Sequence, residues 1–278
     1  MKTGIVDVGG GMRGIFAAGV FDYCMDQGIC FDLVIGVSAG SANAASFLAG
    51  QRGRNYEFYT EYSFEKEYMS LKNVLTKQSY LDLDYVYGTL SNSTGSHPLD
   101  FQALMDNPTP LLVPATNALT GSAKYFSKAD LRQDSYDIFK ASSSLPFLCS
   151  PYMVNWIPYY DGALADPVPI EKAFQWGCDR VALILSRPAH TPRAPGKDAF
   201  FASRIQRKYP FAANKLRTRV ERYNRCVALA KECEAQGRAL IIAPDDLCGM
   251  DTLTRDKKAM ALFYQKGYEE AKKISSFM

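Results

Sequence analysis

Two short apolar runs near the start of the chain, GIVDV (4–8) and FDLVIGV (31–37), each pass directly into a turn of small residues and then into helical spacing. The first leads through Gly9-Gly10-Gly11-Met12-Arg13-Gly14 into IFAAGVFDYCMDQG, whose apolar residues recur at helical intervals until Gly28 stops them. The second leads through Ser38 into the small-residue segment SAGSANAASFLAG (38–50). Parallel strands need crossover connections, and helical crossovers cover both faces of the sheet they serve. The opening therefore predicts an α/β fold with a largely parallel central sheet flanked by helices.

Downstream, LLVPATNA (111–118) and AKYFSK (123–128) read as strands paired around Thr120-Gly121, and DSYDIFKASSS (134–144) reads as a helix that ends before Pro146. YMVNWIPYYDG (152–162) is extended. VALILS (181–186) and ALIIAP (239–244) are core strands, preceded by helices at IEKAFQWG (170–177) and over one long stretch from about 211 to 236. The aperiodic, proline-rich RPAHTPRAPGKD (187–198) is the best boundary.

Composition narrows the function classes. At 47% hydrophobic and 22% charged, 278 residues can bury a large core, which argues against disorder. Seven cysteines without a CxxC pair suit a reducing cytoplasm, and two isolated histidines, His97 and His190, cannot assemble a zinc cluster, so no metal and no cofactor are expected. No apolar run approaches the roughly 18–20 residues of a membrane span, and the start does not resemble a secretory signal. The expectation is a soluble cytoplasmic protein, at most peripheral to a membrane. Between Arg204 and Arg225 eight basic residues face one acid, Glu221. Such a segment suits an anionic membrane surface, but charged residues spaced along a helix usually just form its solvated face. No nucleic-acid partner is expected, and nothing in the sequence sets an oligomeric state.

Three short motifs carry chemistry. GVSAG (36–40) matches G-x-S-x-G at a strand-to-helix junction, with Gly36 and Gly40 flanking Ser38; the pentapeptide alone reads equally well as a loop and N-cap. In the first turn, the backbone N–H groups of Gly10, Gly11, Met12 and Arg13, between Gly9 and Gly14, can stabilise an oxyanion. The same glycines satisfy G-x-G-x-x-G, but no acid follows at the end of the second strand, so a dinucleotide site is disfavoured. Asp161, before Gly162 and Ala163, is a carboxylate that burial among Trp156, Tyr159 and Tyr160 would make a better base for a serine.

In order, spacing and flanking sequence, GGGMRG, GVSAG and DGA resemble the patatin-like phospholipase family, with TNALTGSAKYF (116–126) and ASSSLPFLCSPY (141–152) in support. The chain departs at Asp166, where many relatives carry Asn. The resemblance implies a patatin-type three-layer fold and a lipid or other acyl-ester substrate. It implies a Ser38–Asp161 dyad that needs neither histidine nor calcium, with the glycine turn as oxyanion hole. It also implies a patatin-like catalytic domain over 1–190; beyond about 190 no family motif matches, and 191–278 is expected to be a helical elaboration with one added strand, packed on the same domain because ALIIAP still needs a sheet. Two rival chemistries stay open: an esterase triad of Ser38, Asp161 and His190, whose chain order fits, and a serine acyltransferase.

Overall fold

The computed structural model describes residues 1–146 and 148–278; Phe147, inside ASSSLPFLCSPY, lies outside the described residues. One eight-stranded sheet runs through it: β1 (Thr3–Asp7), β2 (Leu33–Gly36), β3 (Leu111–Asn117), β4 (Ala123–Ser127), β5 (Tyr152–Val154), β6 (Ile157–Asp161), β7 (Arg180–Ile184) and β8 (Ala239–Ile242). The spatial order is β5-β6-β3-β2-β1-β7-β8, with β4 also on β3. The five strands β3, β2, β1, β7 and β8 are parallel. The rest are antiparallel to their neighbours.

Strand side chains alternate between two cores, which makes three layers. Ile5, Val34, Ala182 and Ile242 pack with α1 (Ile15–Asp26), α2 (Ala39–Leu48) and their neighbours, where Phe16 and Phe21 are fully buried. Val6, Leu33, Leu183 and Ile241 face the opposite layer. Between β2 and β3 lie α3 (Arg54–Thr60), α4 (Leu71–Lys77) and α5 (Phe101–Asp106), and α6 (Asp137–Ser143) precedes the β5–β6 hairpin. The opposite layer is built from α7 (Ile170–Gln175) and, after α8 (Asp198–Ile205) and α9 (Pro210–Arg217), from α10 (Arg219–Ala235). The chain ends with α11 (Lys257–Glu270), which returns to α1 through Phe263 against Phe16 (ring centroids 5.3 Å apart), and α12 (Ile274–Phe277).

Three details differ from the sequence expectations. The stretch from 211 to 236 is two helices meeting at Thr218 (φ −94°, ψ 8°), because Arg219 turns inward to a buried ion pair with Asp198. Trp156 does not bury Asp161: it is 95% exposed at the tip of the β5–β6 hairpin, where Asn155 and Trp156 both take positive φ, as a tight two-residue turn demands. The basic run does not present one surface either. Arg219 is buried and Arg222 donates to the Leu164 carbonyl (2.6 Å), so the remaining charges are spread over three helices and the turn between α8 and α9. Among the described residues no helix is long and apolar enough to cross a membrane.

Candidate active site

In an open parallel sheet, ligands bind beyond the carboxyl ends of the strands. Here β1 ends in the glycine turn, β2 in Ser38, and β7 in Ser186 and Arg187. Asp161 reaches the same place by a less obvious route. Pairing with β4 covers one edge of β3 from Leu112 to Thr116. On its other edge β2 pairs at Leu111 and Leu112, and β6 pairs from Ala115 to Asn117 in the opposite direction. These two strands therefore run head-on along one edge of β3, and their carboxyl ends meet across Pro114. A residue without an N–H suits this gap in the ladder.

Ser38 has φ 55° and ψ −129°, a conformation strained for any residue with a side chain, and caps α2. Its N–H donates to Ser142 Oγ (3.0 Å), which in turn donates to the Pro114 carbonyl (2.7 Å). Ser41 Oγ donates to the Ser38 carbonyl (2.6 Å). The flanking glycines are steric requirements: a Cβ on Gly36 would lie 2.3 Å from the Gly40 carbonyl oxygen, and one on Gly40 would lie 2.7 Å from the Asp7 carboxyl carbon.

The glycine turn is left-handed at Gly9 and Gly11, with φ 130° at Gly10 between them. Buried Asp7 holds it, accepting from the Gly9 N–H (2.8 Å) and from Asn43 Nδ2 (3.0 Å), which also donates to the Gly14 carbonyl (2.9 Å). Burial pushes the Asp7 carboxyl up to about 6 against these hydrogen bonds. The Met12 N–H is engaged by the Thr252 carbonyl (3.1 Å), while the N–H groups of Gly10 and Gly11 have no acceptor among the described residues. Arg13 is buried and donates from Nη1 to Thr252 Oγ1 (3.1 Å). Gly14 abuts the Tyr59 hydroxyl.

Asp161 is 1% exposed, and its carboxylate accepts from the Ala163 N–H (2.8 Å) across Gly162, which itself packs on the Pro114 carbonyl. Burial raises its pKa to about 6, opposed by the Ser38 side chain, the Ala163 N–H, Arg219 and Arg193. Asp166 instead accepts from the Tyr125 hydroxyl and lines neither cavity at Ser38.

Ser38 stands where two cavities meet. One, of about 790 Å³, is apolar, with Met12, Phe58, Met69, Leu81, Leu83 and Leu148 in its wall. The other, of about 610 Å³, holds Asp161 and four arginines: Arg13, Arg187, Arg193 and Arg219. Ser38, Gly11, Leu145 and Thr252 line both. Neither histidine lines either one; His190 is exposed in the proline-rich segment, and the buried His97 ring hydrogen-bonds the Arg54 carbonyl (2.9 Å). Thr252 and the arginines from 187 onward carry no local motif, and only the fold brings them to the site; Ser142 lies in ASSSLPFLCSPY, but nothing local marks its hydroxyl as the acceptor of the Ser38 N–H. A hydroxyl, a carboxylate held near neutrality and two unpartnered N–H groups in the adjoining turn can together perform acyl transfer.

A family model for patatin-like phospholipase matches residues 8–174, and a model for a domain of unknown function (DUF6363) matches residues 209–276. The uncharacterized protein YjjU of Escherichia coli (strain K12) is 29% identical over 209 residues, which is 70% of this chain and 54% of that protein. The chain thus spans about half the length of this relative. VipD from Legionella pneumophila shares the fold, with a TM-score of 0.50 at 14% identity over 98% of this chain and 66% of that one. With the match covering more than half its length, the chain belongs to the patatin-like phospholipase family.

Proposed function

We propose that the chain is a serine acyl-ester hydrolase acting on lipids, of phospholipase A or lysophospholipase type, with Ser38 as nucleophile and Asp161 as its base. The observation that carries this reading is the position of Ser38 at the seam of an apolar and a polar cavity, with the buried carboxylate in the polar one. The acyl chain enters the apolar cavity. Ser38 Oγ bonds to the ester carbonyl carbon as its proton passes to Asp161, and the Gly10 and Gly11 N–H groups hold the oxyanion. Collapse breaks the bond to the alcohol, which takes the proton from Asp161. Water then attacks the acyl-serine, giving its proton to Asp161, and Ser38 recovers it as the free acid leaves.

A fluorophosphonate probe is expected to modify the protein once, at Ser38, as read by peptide mapping; labelling elsewhere, or none, overturns the assignment. His190→Ala is expected to leave turnover of a short p-nitrophenyl ester unchanged, whereas a triad histidine would cost about 10⁴-fold or more.

We further propose peripheral contact with an anionic bilayer through α4. Leu71, Val74 and Leu75, at helical spacing on its outer side, are 77%, 43% and 87% exposed. Val74 shares a surface depression with Arg204 and Lys208, a pairing of apolar and basic groups that suits anionic lipid. Leu75→Asp is expected to lower the fraction that cosediments with phosphatidylglycerol vesicles, and unchanged cosedimentation would sink the idea.

A further inference from the structure

The motifs that carry the chemistry end at Ala163, yet one wall of the site comes from much later in the chain, the loop between β8 and α11. Thr252 lines both cavities at Ser38, and Leu253 beside it lines the apolar one. Thr252 lies directly on the glycine turn. Its carbonyl accepts the Met12 N–H (3.1 Å), and its Oγ1 accepts from Arg13 Nη1 (3.1 Å). A Cβ on Gly11 would stand 2.4 Å from that carbonyl oxygen and 2.7 Å from Thr252 Cγ2. The carbonyl, methyl and hydroxyl of one residue thus reach three successive members of the turn.

That turn needs bracing. Gly9, Gly10 and Gly11 all take positive φ, and consecutive glycines are the backbone least able to hold one conformation unaided. Donors stabilise an oxyanion only when they are fixed in advance. Asp7 braces the Gly9 end (2.8 Å), and Thr252 stands at the other. The loop that carries Thr252 is itself held. Met250 is 1% exposed in the core, and its N–H donates to the Leu247 carbonyl (2.7 Å). Asp251 Oδ1 accepts from the Leu253 N–H (2.7 Å) and from Thr254 Oγ1 (3.0 Å), which in turn accepts from the Asp251 N–H (2.8 Å), so a closed turn surrounds Thr252. Asp256 then caps α11, accepting from the N–H groups of Lys258 (2.9 Å) and Ala259 (3.0 Å). α11 lies on α1 at backbone contact: a Cβ on Gly19 would lie 2.1 Å from the Tyr264 carbonyl oxygen, and one on Gly267 1.9 Å from that of Phe16. Phe16 meets Phe263 and Tyr23 meets Tyr268, so the two helices run side by side in the same direction and their leading loops meet at one end. The glycine turn leads into α1 and the Thr252 loop into α11, and locking the helices together fixes one against the other.

We propose that Thr252 is a positioning residue of the active site: its carbonyl withholds the Met12 N–H, its side chain holds Gly11 and Arg13, and the turn is left presenting the Gly10 and Gly11 N–H groups to the ester carbonyl. The region matched by the model of unknown function, residues 209–276, then has a role, which is to complete the oxyanion site of the patatin-like part. The bracing of the turn stands on the contacts; its effect on turnover rests on the acyl-hydrolase reading.

Turnover of a short p-nitrophenyl ester, and backbone hydrogen exchange read by mass spectrometry over residues 8–16, are measured on the full-length wild type and on its Thr252→Gly, Thr252→Val and Thr252→Ser variants. Thr252→Gly removes both side-chain contacts and frees the loop. It is expected to lower kcat about tenfold or more while KM stays within about twofold, because oxyanion donors act in the transition state. Thr252→Val keeps the methyl packing without the hydroxyl, and a fall of about threefold is expected. Thr252→Ser keeps the hydroxyl and is expected to recover most of the wild-type kcat. Exchange over residues 8–16 should quicken about tenfold or more in Thr252→Gly while that of β3 is unchanged. The proposal is overturned by a kcat that survives Thr252→Gly, by a loss confined to KM, by a serine variant as slow as the glycine one, or by unchanged exchange over residues 8–16. If wild type cleaves no ester, the hydrolase reading falls by itself, and the exchange measurement still decides whether Thr252 braces the turn.

Discussion

Asp161→Asn protein is expected to lose about 10⁴-fold in ester turnover and yet to be more stable than wild type at neutral pH. The loss follows from chemistry: an amide accepts the Ala163 N–H as the carboxylate does but cannot take a proton from Ser38. The gain follows from linkage. The Asp161 pKa is about 6 in the fold against an ordinary 3.8, with burial the largest cause. Between these values the native state binds a proton that the unfolded state has released, so stability falls as pH rises through that window. Above about pH 6 the ionised group costs the fold about 3 kcal/mol, which the neutral amide avoids. Thermal unfolding of the two proteins is then expected to differ by roughly 5 °C at neutral pH. The difference should shrink below about pH 6 and vanish near the ordinary carboxyl value. A variant less stable than wild type at neutral pH would mean that the carboxylate is not strained by burial.

With Asp161 as the proposed base, the same ionisation is expected to set the acid limb of activity, because a base must be deprotonated to act. In wild type, kcat/KM for an uncharged ester should fall below about pH 6. Asp7 titrates in the same range but lines neither cavity. The limb is therefore expected to persist in Asp7→Asn protein, and its disappearance there would reassign it to the glycine turn.

What was legible in the sequence is what short-range sterics dictate. The first two strands with their turns, and Gly36 and Gly40 around Ser38, are local requirements, since a Cβ at either glycine collides with backbone or with Asp7. The pairing of 111–117 with 123–127 was visible for the same reason. The meeting of β2 and β6 across Pro114 was not, because it depends on which edge of β3 each strand takes. VNWIP lacks the Asn-Gly or Gly-Gly pair that usually announces a two-residue hairpin turn, so nothing local marks Trp156 as an exposed tip rather than core. The proline-rich segment has no periodicity and read as connection, yet it sets Arg187 and Arg193 into the polar cavity. Thr252, far along the chain, reaches back to hold Met12 and Arg13. Neither convergence leaves a mark on neighbouring residues.

Replacing Ser38, the proposed nucleophile, separates its chemistry from backbone strain. Ser38→Ala should abolish turnover by about 10⁵-fold or more, the scale of losing a catalytic serine, while leaving the strained backbone in place. Its backbone contacts persist, because the Ser38 N–H still donates to Ser142 Oγ and the carbonyl still accepts from Ser41, so its stability should fall only by the hydrogen bond the hydroxyl gives buried Asp161, about 1–3 kcal/mol. Ser38→Gly should be equally inactive but differ in stability. At φ 55° and ψ −129° a Cβ is disfavoured, and glycine relieves a cost of about 1–3 kcal/mol. Against this stands the larger conformational freedom that glycine gives the unfolded chain, about 0.4–1 kcal/mol. The balance favours the glycine variant, so its unfolding midpoint should lie above that of the alanine variant. The reverse order would mean that the turn is not under strain, whereas turnover surviving in either variant would remove Ser38 from the chemistry.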